Sequence, residues 1–198
     1  MIALAVRPGH ITLTTRNTMY EKRLCSPGQF GIFCTTPIRA GTVLFTHDDW
    51  VADESRGWET LHVDDLDGLT KEERRLYLRY AYDVSFGEMI GTFDWSRAQH
   101  VSNFMNHSCA PNMTYGDDDD IIAVRDIAFD EELTIDYANF TVNVDQLFSC
   151  RCETPACRHR ILKNDWIQLA QRAGFNFPRF MHSAVASLDE RRRSVGGT

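Results

Sequence analysis

The sequence predicts a mainly β protein with short helices, on three observations. Short β-branched and aromatic runs recur between turn residues, a single internal segment carries a complete helix start signal, and Cys150, Cys152 and Cys157 crowd together near the C-terminus. At 198 residues, with 43% hydrophobic and 25% charged side chains, the chain suits one compact domain with a small appended module.

In chain order, the β-rich pieces are Ile11–Thr15, Gly28–Phe33 and Thr42–Phe45, each bounded by turn residues. From Thr46 to Thr70 the chain turns acidic, with Asp48, Asp49, Asp53, Glu54, Glu59, Asp64, Asp65 and Asp67 against Arg56. Such a stretch reads as a solvated insertion or as an acidic docking face for a basic substrate. Thr70-Lys71-Glu72-Glu73 is a capping box, in which the Thr and Glu side chains satisfy free backbone amides, and it predicts a helix running to about Tyr82. Leu76, Tyr77, Tyr80 and Ala81 follow the spacing of one buried face, with Tyr77 in the core.

Met89–Phe93, Ile121–Val124 and Leu133–Tyr137 read as further short strands. Asp117–Asp120 reads as a solvated turn, because a calcium loop needs alternate ligand spacing, a glycine and a distal glutamate. Leu162–Ala173 reads as a second helix, and Ser187–Thr198, with Arg191–Arg193, as a frayed tail.

The formal charge of −7 speaks against a nucleic-acid binder and for a basic partner. No apolar run has the length of a membrane helix, and Met1–Val6, stopped by Arg7-Pro8, lacks the regions of a secretory signal. The expectation is an intracellular protein, nuclear or cytoplasmic, with reduced thiols.

Three cysteines this close fit a tetrahedral zinc, which needs a fourth ligand from elsewhere. Cys109, Cys25, Cys34 and His159 are the candidates. The stretch Asn103 to Asn112 is dense in polar groups that are costly to bury without partners, and Tyr137 closes a probable strand downstream.

Asn106-His107-Ser108-Cys109-Ala110-Pro111-Asn112, then Glu132-Leu133-Thr134-Ile135-Asp136-Tyr137, then Cys150-x-Cys152-x4-Cys157 together resemble the signatures of the SET-domain lysine methyltransferases with a post-SET zinc motif. Gly31-Ile32-Phe33 and Ile38–Val43 resemble the family's opening strands. The resemblance implies a SET fold of small sheets with a knot-like C-terminal substructure. It divides the chain into a SET domain at 1–145 with a variable insert at 46–93, a post-SET zinc motif at 146–160, and a C-terminal helix and tail at 161–198.

It further implies an S-adenosylmethionine pocket built from Gly31, Ile32, Phe33, Asn106, His107 and Tyr137, with Phe148 packing on the adenine. The zinc ligands would be Cys109, Cys150, Cys152 and Cys157, leaving Cys25 and Cys34 as structural thiols. Tyr137 would orient the amine, with Tyr82 or Tyr80 lining the lysine channel opposite it. The implied activity is methylation of a lysine on a histone or other basic protein segment; a scaffold that has lost turnover and a methyltransferase of small amines are the alternatives.

Two departures stand out. The glycine-x-glycine turn keeps only its second glycine in Gln29-Phe30-Gly31, and the cation often found before the signature phenylalanine is replaced by Asn103. Ile135 takes a position commonly filled by phenylalanine or tyrosine; lacking a hydroxyl to anchor a space-filling water, it predicts di- or trimethylation.

Overall fold

The computed structural model describes residues 19–26, 28–49 and 57–195. Strands β1 (Tyr20–Ser26) and β2 (Gln29–Cys34) form an antiparallel hairpin. Gly28 in its turn has φ 75°, a left-handed conformation that glycine reaches without a Cβ clash. β3 (Val43–Phe45) follows, then β4 (Glu59–His62), α1 (Lys71–Leu78), β5 (Tyr82–Ser85) and β6 (Glu88–Gly91). β4, β6 and β5 make a three-stranded antiparallel sheet between β3 and β7 in the chain.

β7 (Asn106–His107), β8 (Met113–Tyr115), β9 (Ile121–Ala123) and β10 (Thr134–Ile135) join β3 in a five-stranded sheet ordered β3-β9-β8-β10-β7. β10 lies between β7 and β8 and runs parallel to both, so the 108–112 connection crosses it. This interleaving is the knot-like feature expected of the fold. Ile32, Phe45, Met113, Ile121, Leu133 and Ile135 form the core beneath the hairpin and this sheet. A second core around Trp166, Leu169, Phe177 and Met181 seats the C-terminal segment.

The capping box is present as read: Thr70 Oγ1 accepts from the Glu73 amide at 3.3 Å, and Glu73 returns the bond to the Thr70 amide at 2.8 Å. The helix, however, stops at Leu78, and Tyr82 belongs to β5, opposite Ile90 of β6. Strand pairing overrides the helical spacing here, and at the helix end the Leu76 carbonyl accepts from both the Arg79 amide at 3.4 Å and the Trp95 indole at 3.0 Å. Tyr77 is fully buried as expected, its hydroxyl donating to the Met89 and Glu59 carbonyls at 2.7 and 2.9 Å.

The second helix is far shorter than its sequence pattern: α2 spans Trp166–Leu169, the two residues at its ends being those that reach the core. The C-terminus differs in the opposite sense, since α3 (His182–Val195) covers most of the expected frayed tail. Strands β1, β4, β5, β7 and β8 are additional to those read from the sequence. Ile11–Thr15 lies outside the described residues.

The aspartate run is not merely solvated. Asp119 Oδ1 accepts the Arg179 amide at 2.7 Å and Asp120 Oδ1 accepts the His47 amide at 3.0 Å, so the turn ties two distant segments to the β8–β9 hairpin. No helix among the described residues is long and apolar enough to cross a membrane.

Candidate active site

The interleaved strands decide the site. Asn106 and His107 on β7 pair with Thr134 and Ile135 on β10, so two sequence motifs a quarter-hundred residues apart become neighbours. Asn112 locks them together: its side-chain amide donates to the Glu131 carboxylate at 2.9 Å and the Glu132 carbonyl at 2.8 Å, and its oxygen accepts the Thr134 amide at 2.9 Å. A buried asparagine thus has its bonding capacity used, which explains how so polar a motif is buried at all.

Tyr137 leaves β10 in a short turn. Its amide donates to His107 Nδ1 at 3.1 Å and its hydroxyl donates to the Met105 carbonyl at 2.6 Å. Burial pushes the phenol well above its ordinary pKa, so it stays a neutral donor. Since His107 Nδ1 accepts, the ring proton resides on Nε2, which lies 3.2 Å from Cys109 Sγ. Burial first, and the Arg158 charge second, bring the His107 pKa down to about 4.

The Tyr137 ring stands 5.4 Å from His107 and 5.8 Å, edge to face, from Phe148. Phe148 is 42% exposed, so it presents an open aromatic face over a buried polar centre. That arrangement suits an adenine-bearing cofactor.

Gly31 faces the same centre. A Cβ there would run into the Glu132 carboxylate and come within 2.8 Å of Cys25 Sγ and 3.0 Å of Asn106 Nδ2. A larger residue would therefore displace these side chains, and Asn106 Nδ2 donates to both the Phe30 carbonyl at 3.0 Å and Glu132 Oε1 at 2.7 Å. Ile32 turns its side chain into the core and offers only backbone, its carbonyl accepting the Leu133 amide at 2.8 Å. Phe33 bridges to Glu132 and lies beneath the Arg23 guanidinium.

Tyr82 packs against Trp58, at 6.1 Å between rings, in a cluster with Ile90 and Ala98. Tyr80 instead contacts Phe104, at 6.1 Å, close to the segment that receives the Tyr137 hydroxyl.

The thiols of Cys109, Cys150, Cys152 and Cys157 lie within 4.8 Å of one another. The Cys109–Cys150 and Cys150–Cys157 separations are 3.9 and 3.8 Å. A tetrahedron with Zn–S near ~2.3 Å has sulfur–sulfur edges of about 3.8 Å, which those two separations match, so the cluster is compatible with a zinc ion. Burial raises the Cys109 and Cys150 thiol pKa values, a cost that a bound cation offsets. Cys34 is buried in the main core and Cys25 is exposed beside Gly31, both apart from the cluster. His159 Nδ1 comes to 3.8 Å from Cys157 Sγ.

Arg158 was not singled out by sequence. It forms an ion pair with the fully buried Asp136, the residue before Tyr137, while its amide donates to Cys109 Sγ at 3.4 Å. The cysteine segment is thereby fastened to the strand that carries Tyr137. Its position beside Cys157 was the one available signal; its partner lies 22 residues away in sequence.

The SET domain family model matches residues 29–138. The chain belongs to the SET-domain family. The match begins at β2 and ends within the turn holding Tyr137, so it contains both strands of the interleaved site. This SET chain is 30% identical, over 70% of its length, to histone-lysine N-methyltransferase ATX2 of Arabidopsis thaliana, and 30% identical, over 81% of its length, to the histone H3-lysine(4) N-trimethyltransferase ATX1 of the same plant. It is 43% identical over 43% of its length to histone-lysine N-methyltransferase TRX1 of rice, Oryza sativa subsp. japonica. The matches cover 13%, 15% and 9% of those relatives, so the chain corresponds to a small part of each.

Proposed function

We propose that the chain is an S-adenosylmethionine-dependent protein-lysine N-methyltransferase that modifies a lysine in a histone or similarly basic segment. The observation that carries this reading is Tyr137: a half-buried tyrosine whose neutral phenol donates to the Met105 carbonyl, set between the rings of His107 and Phe148, beside Asn106 and Gly31. Bound S-adenosylmethionine would supply an electrophilic methyl group on a sulfonium. Gly31, Asn106 and His107 would hold it, Phe148 would cover its adenine, and Cys109, Cys150, Cys152 and Cys157 would hold a structural zinc that keeps Phe148 in place.

Tyr137 orients the incoming amine for in-line approach, and the surrounding aromatic rings exclude water. A lysine amine must lose its proton before it can attack, and apolar surroundings lower its pKa. No residue at the centre acts as a strong base, so turnover should rise with pH above neutrality as the substrate lysine deprotonates. The acidic balance of −7 favours a basic substrate. Ile135 is fully buried in the core and brings no hydroxyl, which supports di- or trimethylated product; exclusively monomethyl product at excess enzyme, read by mass spectrometry, would refute that part.

The test of the whole reading is Tyr137→Phe. Labelled methyl transfer to histones should fall by roughly 10²-fold, with zinc content by metal analysis unchanged. Wild-type turnover in the variant, or label entering only small amines, would refute it.

A further inference from the structure

The β5–β6 hairpin is clasped to the chain that leaves Tyr137, and the proposed function gives that clasp no part. Asp83 of β5 is buried, and its Oδ2 accepts the Val142 amide at 2.5 Å and the Asn143 amide at 2.9 Å. The Asn143 side chain answers in the other direction. Its Nδ2 donates to the Ser85 and Glu88 carbonyls at 2.9 and 3.1 Å, and its Oδ1 accepts the Gly87 amide at 2.7 Å. Five bonds thus join residues 55 to 60 positions apart in the chain.

The clasp lies close to Tyr137 along the backbone. The Tyr137 carbonyl accepts the Thr141 amide at 2.9 Å, and the very next amide, that of Val142, is the one Asp83 takes. The Tyr137 amide is held by His107 Nδ1, so the residue is gripped on both sides of its peptide unit. A second route runs through the hairpin tip. Phe86 stands 6.1 Å, edge to face, from both Trp166 and Phe180, and Trp166 shares a core with Ala138, the residue after Tyr137. Side chains alternate along a strand, so Asp83 reaches the 142–143 segment from the face of β5 opposite to Tyr82, which packs on Trp58. Asn143 lies beyond the family match, which ends at residue 138.

We propose that Asp83 and Asn143 are positioning residues for methyl transfer: together they hold the turn after Tyr137 against the β5–β6 hairpin and so fix where the phenol meets the incoming amine. This rests on the methyltransferase reading. Rates depend steeply on such placement, since a reacting group displaced by about 1 Å can lose roughly 10²-fold. Burial raises the Asp83 pKa to about 6, so at the alkaline pH where the substrate lysine deprotonates it is a carboxylate, and its bonds to the two amides are charge-assisted.

The test is histone methylation by the zinc-loaded full chain, with calorimetry of S-adenosylhomocysteine reporting cofactor binding separately. Asn143→Ala and Asp83→Ala should each lower kcat about tenfold while S-adenosylhomocysteine affinity stays within about twofold of wild type. Asp83→Asn, which keeps an acceptor oxygen, should bring kcat back to within about threefold of wild type. Added to Tyr137→Phe, Asn143→Ala should slow the reaction by less than about twofold further, because the clasp acts through the phenol. A full tenfold loss in that background, unchanged kcat in the alanine variants, Asp83→Asn as slow as Asp83→Ala, or kcat and cofactor affinity falling together would each overturn the role of the clasp and leave the methyltransferase reading intact. If Asp83→Ala does not fold, Asn143→Ala carries the test, since Asn143 is only half-buried. A wild-type chain without methyl transfer, or a Tyr137→Phe variant as active as wild type, would overturn that reading and the clasp's role with it.

Discussion

The interleaved strands and the β4-β6-β5 sheet solve the same problem by different means. Around β7 and β10, stability depends on buried polar groups with specific partners: Asn112 bridging Glu131, Glu132 and Thr134, Asp136 paired with Arg158, and four thiols in one cluster. In the β4-β6-β5 sheet, side-chain packing dominates, with Leu66 and Met89 buried against Tyr77 of α1, whose hydroxyl ties the strands together. The difference favours the first region as the seat of the proposed function. Polar networks fix positions closely but fail sharply when one member is removed, whereas apolar packing tolerates change.

Metal removal probes that contrast most strongly. Structural zinc contributes about 10–16 kcal/mol of apparent binding energy in small zinc peptides, so chelation or Cys157→Ser should abolish zinc content and cofactor binding together. Hydrogen exchange should then show lost protection across residues 137–165 and retained protection across 59–91. Uniform loss across both would show that the two regions are not separable.

Arg158→Ala comes next. Removing the cation leaves Asp136 buried without its ion-pair partner, and destabilisation of about 3–5 kcal/mol is expected by denaturant unfolding. Asp136→Asn in the same chain should recover part of the loss. A cost below about 1 kcal/mol would place the pair among ordinary surface contacts. Tyr77→Phe should cost less, about 1–2 kcal/mol, since it keeps the packing and removes only the bonds to the Met89 and Glu59 carbonyls.

The smallest effect falls on the joint between the regions. Asp83 of β5 is buried, and its Oδ2 accepts the Val142 and Asn143 amides at 2.5 and 2.9 Å, just beyond the Tyr137 turn. Burial raises its pKa to about 6 despite those bonds. The folded state therefore holds this proton more tightly than the unfolded chain, so the Asp83 contribution to stability is largest below pH 4 and is lost as pH rises from about 4 to 6. Relative to Asp83→Asn, the wild type should gain about 1 kcal/mol between pH 7 and pH 5, measured as the difference between the two pH–stability curves. A flat difference would remove Asp83 as a titrating joint.

Particular residues show where sequence reasoning carried and where it stopped. The capping box at Thr70 was readable because its donors and acceptors are three residues apart. The end of α1 was not, because Tyr80 and Ala81 fit a helical stripe until β6 arrives to pair with β5. The short α2 was overestimated for the same reason: spacing suggested a face that only Trp166 and Leu169 bury. Arg158 and Asn143 carried no local pattern, since their partners come from strands distant in the chain.

By itself the sequence determined the chemistry available to this protein. The residue types and spacing of the Asn106–Asn112, Glu132–Tyr137 and Cys150–Cys157 segments identified the SET family, because donor, acceptor and thiolate chemistry is a property of side chains. Only the tertiary structure decided which groups meet. Inserting β10 between β7 and β8 places the Tyr137 amide on His107, and the long-range Asp136–Arg158 pair fastens the cysteine segment beneath them. Contacts of that kind arise from chain crossing, which no local periodicity encodes.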